Sequence, residues 1–260
     1  MKRNVITRTL SWGVAVLLTA GCAMHEIQTE YIEYSYAAAL SEGYTDSLLI
    51  DVNLEWPVKG LRTEALERIC QELNTAVFGD VTQTDDLKEA LEEYSQQENM
   101  AYVKSSTNLR ETMIRSGDQP TEGMLSWVET IEGRVQEPYR GMQSYLIYKY
   151  MYTGGAHGLD SEKGLTFRLS DGEPVSEDDL FRKDYQPELS KILSRNLPKS
   201  VSKEVYDMLF VRNIEPNGNF YVDPEGITYI YERYEIGPYV SGLVRVSVPW
   251  SELKDILKKY

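Results

Sequence analysis

Tyr145–Phe181 reads YLIYKYMYTGGAHGLDSEKGLTFRLSDGEPVSEDDLF, and its pattern decides the fold class. Over Tyr145–Tyr152, Leu146, Tyr148, Tyr150 and Tyr152 share one face, with Tyr145, Ile147, Lys149 and Met151 on the other. That period of two is the signature of a strand. Gly154 and Gly155 interrupt it where the chain must turn, since glycine alone adopts positive φ without penalty. A second strand is expected over Gly164–Leu169, and Asp171-Gly172 supplies a tight turn. Ser176 with Asp179 three residues on predicts a capping box for one helical turn.

Working outward, strands are expected at Glu30–Ala38 and at Ser47–Trp56, where Leu48, Ile50, Val52 and Leu54 alternate with Asp51, Asn53 and Glu55. Leu61, Ala65, Leu66, Ile69, Leu73 and Val77 recur at helical spacing, so Leu61–Phe78 is expected to be a helix ended by Gly79. Asp86 and Glu89 predict the start of another, running to about Asn108. Met124–Gln136 and Gly141–Tyr152 read as consecutive strands. A helical region follows over Pro187–Phe210, broken at Pro198. Strands are then expected at Phe220–Val222, Ile227–Ile236 and Leu243–Val248, and Ser251 is the expected cap of a last helix. Hairpin-joined strands with packed helices indicate an α+β fold with antiparallel sheets.

The N-terminus gives an address. Lys2, Arg3 and Arg8 precede the apolar run Trp12–Leu18, and Leu18-Thr19-Ala20-Gly21-Cys22 has the form of a lipobox. A span needs about 20 apolar residues, so residues 1–21 read as a cleaved lipoprotein signal peptide. Cys22 is the expected lipid attachment site, which anchors the chain to a membrane. Residues 22–28 then form a tether, and the body is expected in the bacterial cell envelope, on the periplasmic face of a membrane.

Removing residues 1–21 takes three of the 27 Lys+Arg and none of the 41 Asp+Glu, leaving a net charge of −17. That argues against nucleic acid, which needs a basic footprint, and favours a basic protein partner. Cys22 and Cys70 are the only cysteines. With Cys22 lipidated no internal disulfide is available, and Cys70, on the apolar face of its helix, reads as a buried inert thiol.

No catalytic constellation is legible. His157 is the single histidine of the body, because His25 lies in the tether. One imidazole with scattered carboxylates falls short of the usual metal ligand sets, and no nucleophile elbow occurs. Neither metal nor cofactor is expected. A pair of carboxylates acting on cell-wall glycan remains the alternative, since sequence does not show their separation. Aromatic usage is skewed, with 19 tyrosines against 5 phenylalanines. Tyrosine offers a rigid apolar face with a polar tip, so Tyr148, Tyr150, Tyr152, His157, Tyr229, Tyr231, Tyr234 and Tyr239 are the candidate ligand-binding residues.

Two groups of motifs carry a resemblance. The first is Tyr152-Thr153-Gly154-Gly155-Ala156-His157-Gly158 with Leu165-Thr166-Phe167 and Asp179-Leu180-Phe181. The second is Gly226-Ile227-Thr228-Tyr229, Tyr234-Glu235-Ile236-Gly237-Pro238-Tyr239, Gly242, and Val246-Ser247-Val248-Pro249-Trp250-Ser251-Glu252-Leu253. Together they resemble the RsiV-like extracytoplasmic domain family of anti-sigma factors, shared with the non-catalytic N-terminal region of the deacetylase PdaC. The resemblance implies an N-terminal α/β unit over 29–140, a C-terminal unit over 141–260, and no catalysis of its own. It further implies a binding or sensing module for a lysozyme-like protein or a cell-wall ligand. The chain departs from both relatives in its lipoprotein signal and in having no sigma-binding segment and no deacetylase domain.

Overall fold

The computed structural model describes residues 6–13, 27–41, 45–82 and 84–258. Cys22, the lipobox and most of the tether lie outside the described residues. The N-terminal part holds β1 (Ile6–Gly13), β2 (Gln28–Ala39), β3 (Ser47–Lys59), α1 (Thr63–Phe78), α2 (Leu87–Arg115), β4 (Trp127–Val135), β5 (Met142–Tyr152) and β6 (Leu159–Arg168). These strands form one sheet in the order β1-β2-β3-β4-β5-β6. All neighbours are antiparallel except β3 and β4, which run parallel. A parallel pair needs a long crossover, and α1 and α2 supply it, covering one face of the sheet.

Alternation in β3 explains that cover. Leu48, Ile50, Val52 and Leu54 are buried among Ile69, Leu73 and Val77 of α1 and Leu87, Ala90, Leu91 and Tyr94 of α2. Asp86 caps α2 by accepting from Glu89 N at 2.9 Å. The helix continues to Arg115, about two turns beyond the expected end near Asn108. Cys70 is half-buried and donates to the Pro57 carbonyl at 3.5 Å. Burial, with Glu67 adding to it, pushes its thiol up to about 11.

A second core gathers the remaining elements: α3 (Glu177–Leu180), α4 (Gln186–Ser200), α5 (Lys203–Met208), β7 (Phe220–Val222), β8 (Gly226–Tyr231), β9 (Val244–Pro249) and α6 (Trp250–Leu253). β7, β8 and β9 make an antiparallel three-stranded sheet. Several sequence expectations shift here. The long helical region splits into α4 and α5, with Pro198 inside the last turn of α4. β8 stops at Tyr231 because Tyr234 takes φ +69° and Glu235 N closes a turn on the Glu232 carbonyl. β6 starts five residues before Gly164. Pro249, not Ser251, precedes α6, so Ser251 lies within the helix.

The boundary expected between residues 140 and 141 falls between β4 and β5, which pair along Val128–Val135 with Tyr145–Tyr152. The first sheet therefore runs across it, and the two cores divide instead between Phe167 and Leu180. Where they meet, a Cβ on Gly164 of β6 would lie 2.4 Å from the Phe220 carbonyl oxygen of β7. Beside it, Ser144 Oγ bridges Thr166 Oγ1, Val222 N and the Val222 carbonyl at 2.9–3.0 Å. Gly164→Val forces these backbones apart, and overpacking of this kind costs about 1–3 kcal/mol. Urea denaturation monitored by circular dichroism checks that loss.

Candidate functional site

Helices cover the face of the six-stranded sheet that carries Tyr145 and Ile147; the opposite face bears the tyrosines of β5. Register sets Tyr148 between Glu132 of β4 and Glu162 of β6, and Tyr150 between Thr130 and Asp160. Tyr148, Tyr150 and Tyr152 are each half-buried. The second core reaches over the flank of this face with two arginines. Arg245 grips Glu162 through Nε at 2.5 Å and Nη2 at 2.9 Å. Arg233 holds Asp160 through Nε and through Nη2 at 3.0 Å. The Arg233 hydrogen bond is the main cause holding the Asp160 carboxyl below the usual range, and the guanidinium charge adds to it. Glu132 pairs with Arg134 at 2.7 Å. A cleft of about 390 Å³ opens among Glu132, Arg134, Gln136, Leu146, Tyr148, Glu162 and Arg245.

At one end of this face, residues 153–158 join β5 to β6. Gly154 and Gly155 have φ of +91° and +99°, so the turn needs glycine there. Tyrosines from β5 and from the β8–β9 connection hold it. Tyr152 Oη donates to the Gly155 carbonyl at 3.0 Å and Tyr239 Oη to the Gly158 carbonyl at 2.6 Å. A Cβ on Gly158 would sit 2.5 Å from the Tyr150 ring, so that ring lies against the bare glycine. His157 is exposed, stacks on Tyr239 with centroids 3.9 Å apart, and approaches the Gly158 carbonyl through Nδ1 at 3.2 Å. Arg233 lies 4.3 Å from the Tyr239 centroid, a cation–π contact.

The candidate residues thus divide. Tyr148, Tyr150, Tyr152, His157 and Tyr239 come together on the open face and its end turn, with exposed Tyr234 beside Tyr239 at 6.0 Å. Tyr229 and Tyr231 do not. They are 0% and 1% exposed and belong to the second core. β8 is the central strand of its sheet and is buried on both faces, so alternation along it cannot report exposure. Tyr231 Oη spends its donor on the Glu215 carbonyl at 2.8 Å. Sequence reading missed Arg233 and Arg245, which lie 73 and 83 residues from their carboxylates and leave no local signal.

Glu129 was also missed. It lies on the helix-covered face of β4 and is 2% exposed. Tyr94 donates to its Oε1, yet burial outweighs that bond and pushes the carboxyl up to about 7. Nearby, burial lowers the Lys149 ammonium, whose Nζ donates to the Val77 carbonyl at 2.5 Å, and raises Glu98. Among the described residues, no three His, Cys, Asp or Glu side chains gather as a metal site, and no helix is long and apolar enough to cross a membrane.

The second core coincides with a family signature. Residues 178–251 match the model of a protein family of unknown function (DUF3298), so the chain carries a DUF3298 domain. A crystal structure of a family member from Bacteroides fragilis aligns with a TM-score of 0.78 at 25% identity, covering 90% of this chain and 96% of that one. A family member from Pseudomonas aeruginosa PAO1 shares the fold at a TM-score of 0.55 and 15% identity, over 99% of this chain and 95% of that one. Among curated proteins, peptidoglycan-N-acetylmuramic acid deacetylase PdaC of Bacillus subtilis is 29% identical over 117 residues, 43% of this chain and 25% of that protein. Immunogenic protein MPT64 of Mycobacterium tuberculosis is 25% identical over 130 residues, 46% of this chain and 54% of that protein. The chain thus spans between a quarter and about half of these relatives.

Proposed function

We propose that the protein is a lipid-anchored, non-catalytic binding module of the bacterial envelope, which takes a basic protein or a cell-wall ligand on the open face of its large sheet. The observation that carries this reading is the uncovered row Tyr148, Tyr150 and Tyr152, flanked by carboxylates that arginines hold in place. Rigid aromatic faces beside fixed polar groups suit recognition without induced ordering. The likeness to a deacetylase of peptidoglycan supports a cell-wall setting. A glycosidase would need an accessible acid with a raised pKa beside a second carboxylate. Asp160 on the open face is instead lowered, Glu129, raised to about 7, is buried beneath the helices, and half-buried Glu232, which burial also raises, has Oε1 accepting from Glu162 N at 3.0 Å.

The start of the folded body fits this role. Gln28 pairs with Lys59 at one end of the sheet, whereas Tyr152 pairs with Val128 near the other. The 13 residues of β3 span about 40 Å at roughly 3.3 Å each. The His157 turn therefore lies at the far end of the sheet from Gln28. Cys22→Ser is expected to move the protein from the membrane to the soluble fraction and to abolish labelling by a fatty-acid analogue. Retained labelling would exclude the anchor.

The test is capture of hen lysozyme and of purified muropeptides by the leaderless protein, with products followed by mass spectrometry. Stoichiometric capture without new products is expected. Capture of lysozyme should fade as salt shortens the Debye length from about 10 Å at 0.1 M to about 3 Å at 1 M, whereas sugar stacking should persist. Turnover of either probe would overturn the proposal.

A further inference from the structure

The two edges of the six-stranded sheet are treated differently. An edge strand exposes unpaired N–H and C=O groups that template another strand. The outer edge of β6 is closed by side chains of the second core: Glu232 Oε1 accepts from Glu162 N at 3.0 Å, and Asn219 Oδ1 from Gly164 N at 2.9 Å. Asn219 Nδ2 returns a bond to the Glu162 carbonyl at 2.8 Å. At the other edge, β2 pairs with β1, in antiparallel register from Ile6↔Ala38 to Gly13↔Tyr31. Residues 6–13 fall within the stretch expected to be cleaved.

We infer that removal of residues 1–21 opens β2 as a docking edge for an extended partner segment whose residues alternate apolar and basic. This rests on the removal of the leader, not on the tyrosine face. The seat is already shaped for a strand, since β1 lies along eight of its positions. An added strand meets two unlike rows. On the helix side it adjoins Ile32, Tyr34, Tyr36 and Ala38, each at most 4% exposed with β1 in place. On the open side it adjoins Tyr31, Glu33 and Ser35, with Asp51 one strand further in. Facing side chains on paired strands lie about 5 Å apart, where opposite charges attract and apolar pairs pack. Lysine or arginine is therefore favoured opposite Glu33, and branched apolar residues opposite Ile32 and Tyr34. Backbone bonds then supply affinity and alternate side chains supply choice, as in β-strand addition generally. A second copy is disfavoured, since each leaderless chain carries a net −17.

Hydrogen exchange read by mass spectrometry tests the inference. The full chain is compared with the chain from residue 22 carrying Cys22→Ser, which retains both cores. Peptides covering residues 28–39 should exchange faster in the leaderless chain. An eight-residue peptide alternating valine and lysine should restore protection there. The same peptide N-methylated at alternate residues should not, and neither should one alternating valine and glutamate. Tyr148→Ala should leave these results unchanged, which separates failure here from failure of the tyrosine-face proposal. Equal protection with and without the leader would overturn the inference. So would protection by the glutamate peptide, protection by none, or a leaderless dimer with β2 already covered.

Discussion

Glu129→Gln is expected to stabilise the protein at pH 8 and to leave its stability at pH 5 nearly unchanged. Burial raises the Glu129 carboxyl to about 7 in the folded chain, above the ordinary glutamate value it regains on unfolding. A raised native pKa means that the folded state binds the extra proton between those two values. Stability from this group is therefore present at low pH, falls as pH rises from the ordinary glutamate value to about 7, and levels off above that. The glutamine side chain keeps an acceptor for Tyr94 and never ionises. A shift of this size corresponds to about 3 kcal/mol between the two ends of the window. The difference between variant and parent, from denaturant midpoints at pH 5 and pH 8, isolates the group. No gain at pH 8 would show that Glu129 is not desolvated as described.

Arg233→Met works in the opposite pH direction. Asp160 and Arg233 form a pair with side chains only 14% and 16% exposed, and the guanidinium also reaches the Tyr239 carbonyl and ring. Removing the arginine strands a buried carboxylate, a change that costs about 3 kcal/mol in comparable pairs. Because Asp160 is lowered in the folded protein, its contribution is present at neutral pH and fades as pH falls through that depressed value. The defect should accordingly be large at pH 7 and smaller at pH 3, below the ordinary aspartate value. Asp160→Asn placed on the Arg233→Met background should recover part of the loss at pH 7. A defect of equal size at both pH values would assign the role of Arg233 to packing on Tyr239 alone.

How far the fold was legible follows from where each element sits. β3 and α1 each have one buried and one exposed face, so alternation and helical spacing report their positions. Asp86 and Ser176 are read correctly as helix starts because capping is local. β8 defeats the same reasoning, since both its faces are buried and its tyrosines mimic a recognition row. At 140 and 141 the sequence is silent for another reason: a Pro-Gly turn looks alike whether it joins domains or, as β4 and β5 here, two strands of one sheet. Of the site, the β5 tyrosines and the His157 turn are visible as residues in sequence. What fixes them is not, because Arg233, Tyr239 and Arg245 come from the second core.

The central claim is that the row through Tyr148 is the ligand-binding face. Tyr148→Ala removes a half-buried ring between Glu132 and Glu162 without touching the turn that Tyr150 and Tyr152 hold. Isothermal titration of the leaderless chain with whichever probe it captures, lysozyme or muropeptide, measures the consequence. The account predicts that the variant, with an unchanged circular-dichroism spectrum and melting midpoint, binds at least about tenfold more weakly, as loss of an aromatic anchor requires. Affinity equal to the parent's in a folded Tyr148→Ala variant would contradict it.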